Sequence, residues 1–164
     1  MKPLRLVGLA VALAVITLDQ LSKPLMRDYL AGGDVAVAPF FSLVSAWNKG
    51  VGFSLLTLEG PLGPYLLSGL ALVITAALLV WLFRLDRLIP AIGLGLVIGG
   101  ALGNVIDRIR LGAVFDFLDV HVGGYHWPAF NLADSALTLG VVLLVVDGLF
   151  EGQGKSKNPV HPEV

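Results

Sequence analysis

The chain contains no cysteine and very little charge. Without cysteine there is no disulfide, no thiol nucleophile and no thiolate-bound zinc. Only 14% of its 164 residues are charged, against about 25% in an average soluble domain, which is too few to coat a water-facing surface. The charges nearly cancel, at −1 overall, so there is no basic excess for a nucleic-acid partner. No linker or internal repeat divides the sequence. Residues 1–152 read as one domain and 153–164 as a polar tail expected to be disordered.

What is abundant is apolar. Hydrophobic residues make up 56% of the chain, and the mean hydropathy is +0.85. Gly60 to Phe83 and Leu88 to Ile106 carry no charge at all. Crossing a hydrocarbon core takes about 20 helical residues, so both qualify as spans. Leu6–Leu18 and Ser135–Val146 are shorter. The first has the basic start of a signal peptide, in Lys2 and Arg5, with Ala12-Leu13-Ala14 as a possible cleavage site. Extended from Lys2 to Lys23 with snorkelling ends it becomes a span, and the last becomes one from Leu132 to Phe150. The fold class is therefore mainly α: an integral membrane protein with four transmembrane helices.

Four spans place both termini on one side. Lys2, Arg5, Arg84, Arg87, Lys155 and Lys157 share that side, which the positive-inside rule makes the cytoplasm. Lys23, Arg27, Lys49, Arg108 and Arg110 fall outside. The outer connections are predicted to run from Pro24 to Glu59 and from Asp107 to Asn131. Val35 to Phe41 and the Gly50-Val51-Gly52-Phe53 segment are β-prone and punctuated by Gly and Pro, predicting a small β-rich element on the outer surface. Tyr125, His126 and Trp127 suit the headgroup level. In the third span, Gly95, Gly99 and Gly103 form overlapping G-x-x-x-G pairs, a helix-packing face.

Ionisable groups at a membrane edge are costly and so mark candidate chemistry. The outer span ends gather Asp19, Lys23, Asn48, Asn104, Asp107, Arg108, Asp116, Asn131 and Asp134. Asp19 and Lys23 stand four apart in the favourable order for a helical ion pair. Asn131 to Asp134 has the spacing of a capping box. Asp116 is flanked by Phe115 and Phe117, where burial would raise its pKa. An apolar carboxylate and one at a helix start can divide acid and base work on a single water; Asp107 and Asp119 are equally legal partners by composition. His121 and His126 lack a third ligand and read as interfacial side chains without a metal.

Five stretches in register resemble bacterial lipoprotein signal peptidase, or signal peptidase II. They are Asp19-Gln20-Leu21-Ser22-Lys23, Asn48 to Ser54, Gly99 to Arg108, Val114-Phe115-Asp116-Phe117 and Pro128 to Ser135. The resemblance implies an intramembrane aspartic endopeptidase of the bacterial inner membrane, without cofactor or metal; a monomer is expected. It implies removal of signal peptides from diacylglyceryl-modified prolipoproteins, just before the lipidated cysteine, near the outer face and among membrane lipids. Sensitivity to globomycin is implied as well. The family's catalytic aspartates fall on Asp116 and Asp134, its supporting polar residues on Asn48, Asn104, Arg108 and Asn131, and its helix-end pair on Asp19 and Lys23. Two rivals follow from the same residues: a small transporter or proton relay, and a non-catalytic scaffold packed through the Gly-rich span. A transporter is expected to place its ionisable groups near the bilayer midplane, whereas these gather at one edge.

Overall fold

The computed structural model describes residues 3–50 and 62–155, the last five as backbone only. The Gly50-Val51-Gly52-Phe53 segment, except for Gly50, lies outside the described residues, as do Lys2, Lys157 and the tail beyond residue 155. Helix α1 (Pro3–Tyr29) ends in a 3-10 turn (Leu30–Gly32), followed by strands β1 (Val35–Ala38) and β2 (Phe41–Asn48). Helices α2 (Gly63–Leu82) and α3 (Leu88–Leu111), strands β3 (Val114–Val122) and β4 (Tyr125–His126) and helix α4 (Leu132–Lys155) complete the chain. Among the described residues four helices are long and apolar enough to span a membrane, and the protein is a multi-pass membrane protein.

Helix α3 is the hub. Its most apolar window is 67% buried, against 17–22% for the other three, which leave most of their surface to lipid. Glycine makes the close approach possible. A Cβ at Gly99 would sit 2.7 Å from the Ala12 carbonyl oxygen of α1, and one at Gly100 would run into the Ala133 carbonyl oxygen of α4. The glycine spacing was expected to give one packing face; α3 presents two, one to α1 and one to α4. Contacts between backbones this close rest on dispersion and on small residues, since lipid supplies no hydrophobic drive between helices. At the opposite end from the strands, Arg87 pairs with Asp147 at 2.7 Å, which accounts for a carboxylate inside the last apolar run.

Three boundaries differ from the expected ones. Helix α4 runs past Phe150 to Lys155 and so takes in the first residues of the segment expected as a disordered tail. The first helix continues six residues past Lys23 to Tyr29, through Pro24. An interior proline costs about 3 kcal/mol. Here the extra turns carry Met26 and Leu30 onto Phe115 and Phe117, which offsets part of that cost. Helix α3 runs four residues beyond Asp107 and stops where Gly112 adopts φ 74°, its N–H donating to the Arg108 carbonyl. That left-handed cap is what glycine permits without strain.

The strands form one antiparallel sheet in the order β1-β2-β3-β4, with β1 and β4 at the edges. In the β2–β3 register Asn48 faces Val114, Trp47 faces Phe115 and Ala46 faces Asp116. The sheet thus sets Asp116 and Asn48 beside the ends of α1, α3 and α4.

Candidate active site

Three helix ends and two strands supply the polar residues that converge here. Asn131 is the N-cap of α4: its Oδ1 accepts from the Asp134 N–H at 3.0 Å, and its own N–H donates to Asp134 Oδ2 at 3.2 Å. This is the reciprocal box expected from the spacing. The Asn131 side chain, fully buried, also donates through Nδ2 to Asp116 Oδ1 at 2.7 Å and to Asn104 Oδ1 at 3.1 Å. One asparagine therefore touches both carboxylates. The remaining carboxylate oxygens are met by other amides, Asp134 Oδ1 by Asn104 Nδ2 at 2.7 Å and Asp116 Oδ2 by Asn48 Nδ2 at 3.2 Å.

Beneath this lies a buried ionic layer. Lys23 Nζ is 2.8 Å from Asp19 Oδ2 and 2.8 Å from Asp107 Oδ2, and donates to Asn104 Oδ1 at 3.2 Å. Asp19 Oδ1 accepts from the Ala133 N–H at 3.1 Å, a second backbone donor at the start of α4. The expected Asp19–Lys23 pair is present and has a third member, Asp107. Buried charges persist only when paired and hydrogen-bonded in this way. Gln20 completes the layer by donating to Asp107 Oδ1 at 2.9 Å and Asp19 Oδ2 at 3.1 Å. Its signal in the sequence is an uncharged polar side chain near the end of a span, between Asp19 and Lys23.

Arg108 stands apart from that layer. Its Nη2 donates to the Gly50 carbonyl at 2.9 Å, and Gly50 in turn donates to Asn48 Oδ1 at 3.0 Å. Asp107 and Asp119, the composition-level alternatives, are bonded elsewhere: Asp107 to Lys23, and Asp119 to His126 Nδ1 at 2.8 Å. His121 stacks on His126 and contacts the Ser42 hydroxyl at 3.0 Å.

Burial first, and the nearby charge of Asp134 second, push the Asp116 carboxyl up to about 7, against the pull of its Asn48 and Asn131 hydrogen bonds. A carboxyl titrating there exchanges protons near neutrality, as general acid–base chemistry requires. A cavity of about 550 Å³ opens beside the pair. Asn48, Asn104, Arg108 and Asp134 give it a polar end, and Trp127, Phe130, Leu139 and Val142 contribute to an apolar wall. Asp116 does not itself line the cavity; it hydrogen-bonds Asn48, which does.

The family model described as signal peptidase (SPase) II matches residues 11–150. The lipoprotein signal peptidase of Methylobacterium sp. (strain 4-46) is 43% identical over 150 residues, covering 90% of each chain. That of Paraburkholderia phymatum (strain DSM 17167 / CIP 108236 / LMG 21445 / STM815) is 46% identical over 149 residues and 89% of each. Two solved structures described as bacterial membrane enzymes superpose with TM-scores of 0.80 and 0.73, at 31% and 33% identity. The first covers 94% of both chains, and the second 87% of this chain and 92% of its own.

Proposed function

The chain belongs to the signal peptidase II family and is a peptidase, and from that premise we propose that Asp116 and Asp134 form the catalytic dyad of an aspartic endopeptidase. Its substrates are diacylglyceryl-modified prolipoproteins, cut just before the lipidated cysteine. The observation that carries this reading is the Asn131 bridge, which joins the buried Asp116 and the half-buried Asp134 through the side-chain and backbone amides of one residue, with no cation paired to either among the described residues.

Two carboxylates that raise one another's cost of ionisation cannot both ionise cheaply, so the pair shares one proton. The ionised member takes a proton from a water whose oxygen attacks the scissile carbonyl. The protonated member donates to the developing oxyanion. Collapse breaks the C–N bond, the amine leaves with a proton from the dyad, and the released carboxyl and the shared proton restore the starting state. Asn48, Asn104 and Asn131 orient the carboxylates. Arg108, on the polar side of the cavity, is placed to steady the peptide.

The apolar wall suits the substrate's acyl chains, since burying chain is worth about 0.8 kcal/mol per CH₂. Four spans with basic residues gathered at Arg5, Arg84 and Arg87 favour cytoplasmic termini and a dyad near the outer face of the bacterial inner membrane. Purified protein incubated with a diacylglyceryl prolipoprotein should release its signal peptide, whereas unlipidated precursor should be cut poorly. Asp116→Asn and Asp134→Asn should each abolish release in folded protein, and Asp119→Asn should retain it. An active Asp116→Asn protein would overturn the dyad.

A further inference from the structure

Five basic residues were expected on the dyad side of the membrane, an awkward number under the positive-inside rule. Lys23 is consumed by Asp19 and Asp107, and Arg108 lines the dyad cavity. Arg27 and Arg110 have no such role. They lie in the last turns of α1 and α3, both exposed, and both border a second cavity of about 140 Å³ between those helix ends. Its other boundaries include the buried Lys23 and Asp107, with Trp47 and Phe115 closing it from β2 and β3, their rings 5.2 Å apart. Trp47 and Asn48 are successive residues of one strand and point to opposite faces. The second cavity and the dyad cavity therefore lie on opposite sides of β2.

Neither arginine is well paired. Arg27 Nε stands 3.8 Å from Asp28 Oδ1, and the side chains are 49% and 78% exposed, a pair of little worth in solvent. Among the described residues the partner of Arg110 Nη1 is the neutral Gln20 Oε1, at 3.4 Å. The ionisable residues on the cavity wall are Lys23, Arg27, Arg110 and Asp107, an excess of two positive charges. Guanidinium forks match phosphate oxygens bidentately, and tryptophan belongs at the headgroup level. Leu111 and Pro24 continue the wall with apolar surface, Leu111 being half exposed on the lipid-facing bundle.

We propose that Arg27 and Arg110 clasp the phosphodiester of an anionic glycerophospholipid at the junction of α1, α3 and β2. The headgroup seats against Trp47 and the glycerol backbone passes Leu111 toward the hydrocarbon. The site is independent of the dyad chemistry. Its effect is to pin the α1–α3 end at the phosphate level.

The test uses full-length protein, delipidated in detergent and mixed with equal amounts of phosphatidylglycerol and phosphatidylcholine of the same acyl chains. Retained lipid is identified by native mass spectrometry. Basic side chains near a membrane surface contribute about fivefold each, so the protein should prefer phosphatidylglycerol by roughly 25-fold. Arg27→Gln/Arg110→Gln should bring the ratio near one. Arg27→Lys/Arg110→Lys should keep much of it, and Lys49→Gln, which removes a cation that does not line the cavity, should leave it intact. No preference in the unaltered protein, or an unchanged preference in the double glutamine variant, overturns the site. So does an equal loss on Lys49→Gln, which would mean diffuse charge. Displacement of the lipid by glycerol 3-phosphate at equal concentration would make it a free-anion site and overturn the lipid assignment.

Discussion

Asn131 performs two tasks that substitution can separate. It caps α4, and it bridges Asp116 to Asp134. Serine is about as good an N-cap as asparagine, but its shorter side chain cannot span to Asp116, whereas alanine loses both roles. Asn131→Ser should therefore keep the cap and lose the bridge, and Asn131→Ala should be less stable than Asn131→Ser by about 1 kcal/mol. A hydrogen bond to a charged group is worth about 1.5–3 kcal/mol. At about 1.36 kcal/mol per factor of ten, both variants should lose roughly 10- to 150-fold in kcat/KM. The pH profile should move too. The Asn131 bond favours the charged form of Asp116 and so holds its pKa down. Removing it raises that pKa further above about 7, less of the ionised form is present at neutral pH, and the acidic limb shifts to higher pH. The limb belongs to the coupled pair. The assay is cleavage of lipidated precursor across pH, with melting in detergent measured alongside. An Asn131→Ser protein with unchanged kcat/KM and an unmoved acidic limb would refute the bridge as a catalytic support.

Gly100→Ala should cost about 1–3 kcal/mol in a detergent melt, because the new methyl meets the Ala133 carbonyl oxygen and the Leu137 N–H, both backbone, and the two helices must part. Gly69→Ala, with nothing within 4 Å of its Cβ, should be neutral or stabilising by up to about 1 kcal/mol; equal losses at both glycines would contradict the packing account. For orientation, reporter fusions at Phe83–Arg87 and at Tyr125 should report opposite sides of the membrane, and a shared side would break the four-span arrangement.

Which parts of this molecule could be read in advance depends on the range of the physics involved. Span length is fixed by hydrocarbon thickness, so the four helices follow from runs of apolar residues, and the cap at Asn131 follows from a three-residue spacing. The passage of α1 through Pro24 does not, because its compensation comes from Phe115 and Phe117, far away in sequence. Nor does the strand register that sets Asp116 opposite Ala46. The choice among Asp107, Asp116 and Asp119 is the sharpest case. All three are buried, and composition ranks none above another. Their partners distinguish them. Asp107 is locked by a lysine and Asp119 shares a hydrogen bond with a histidine, whereas Asp116 is held by two asparagines. A cation stabilises the charged form of a carboxylate and fixes it as structure. An amide satisfies the oxygens without cancelling the charge, so the neighbouring carboxylate still opposes ionisation and the proton stays exchangeable. That difference makes Asp116 a candidate for catalysis and Asp107 a support; it lies in tertiary contacts, so in the sequence only the family resemblance, and no residue-level physics, singles out Asp116.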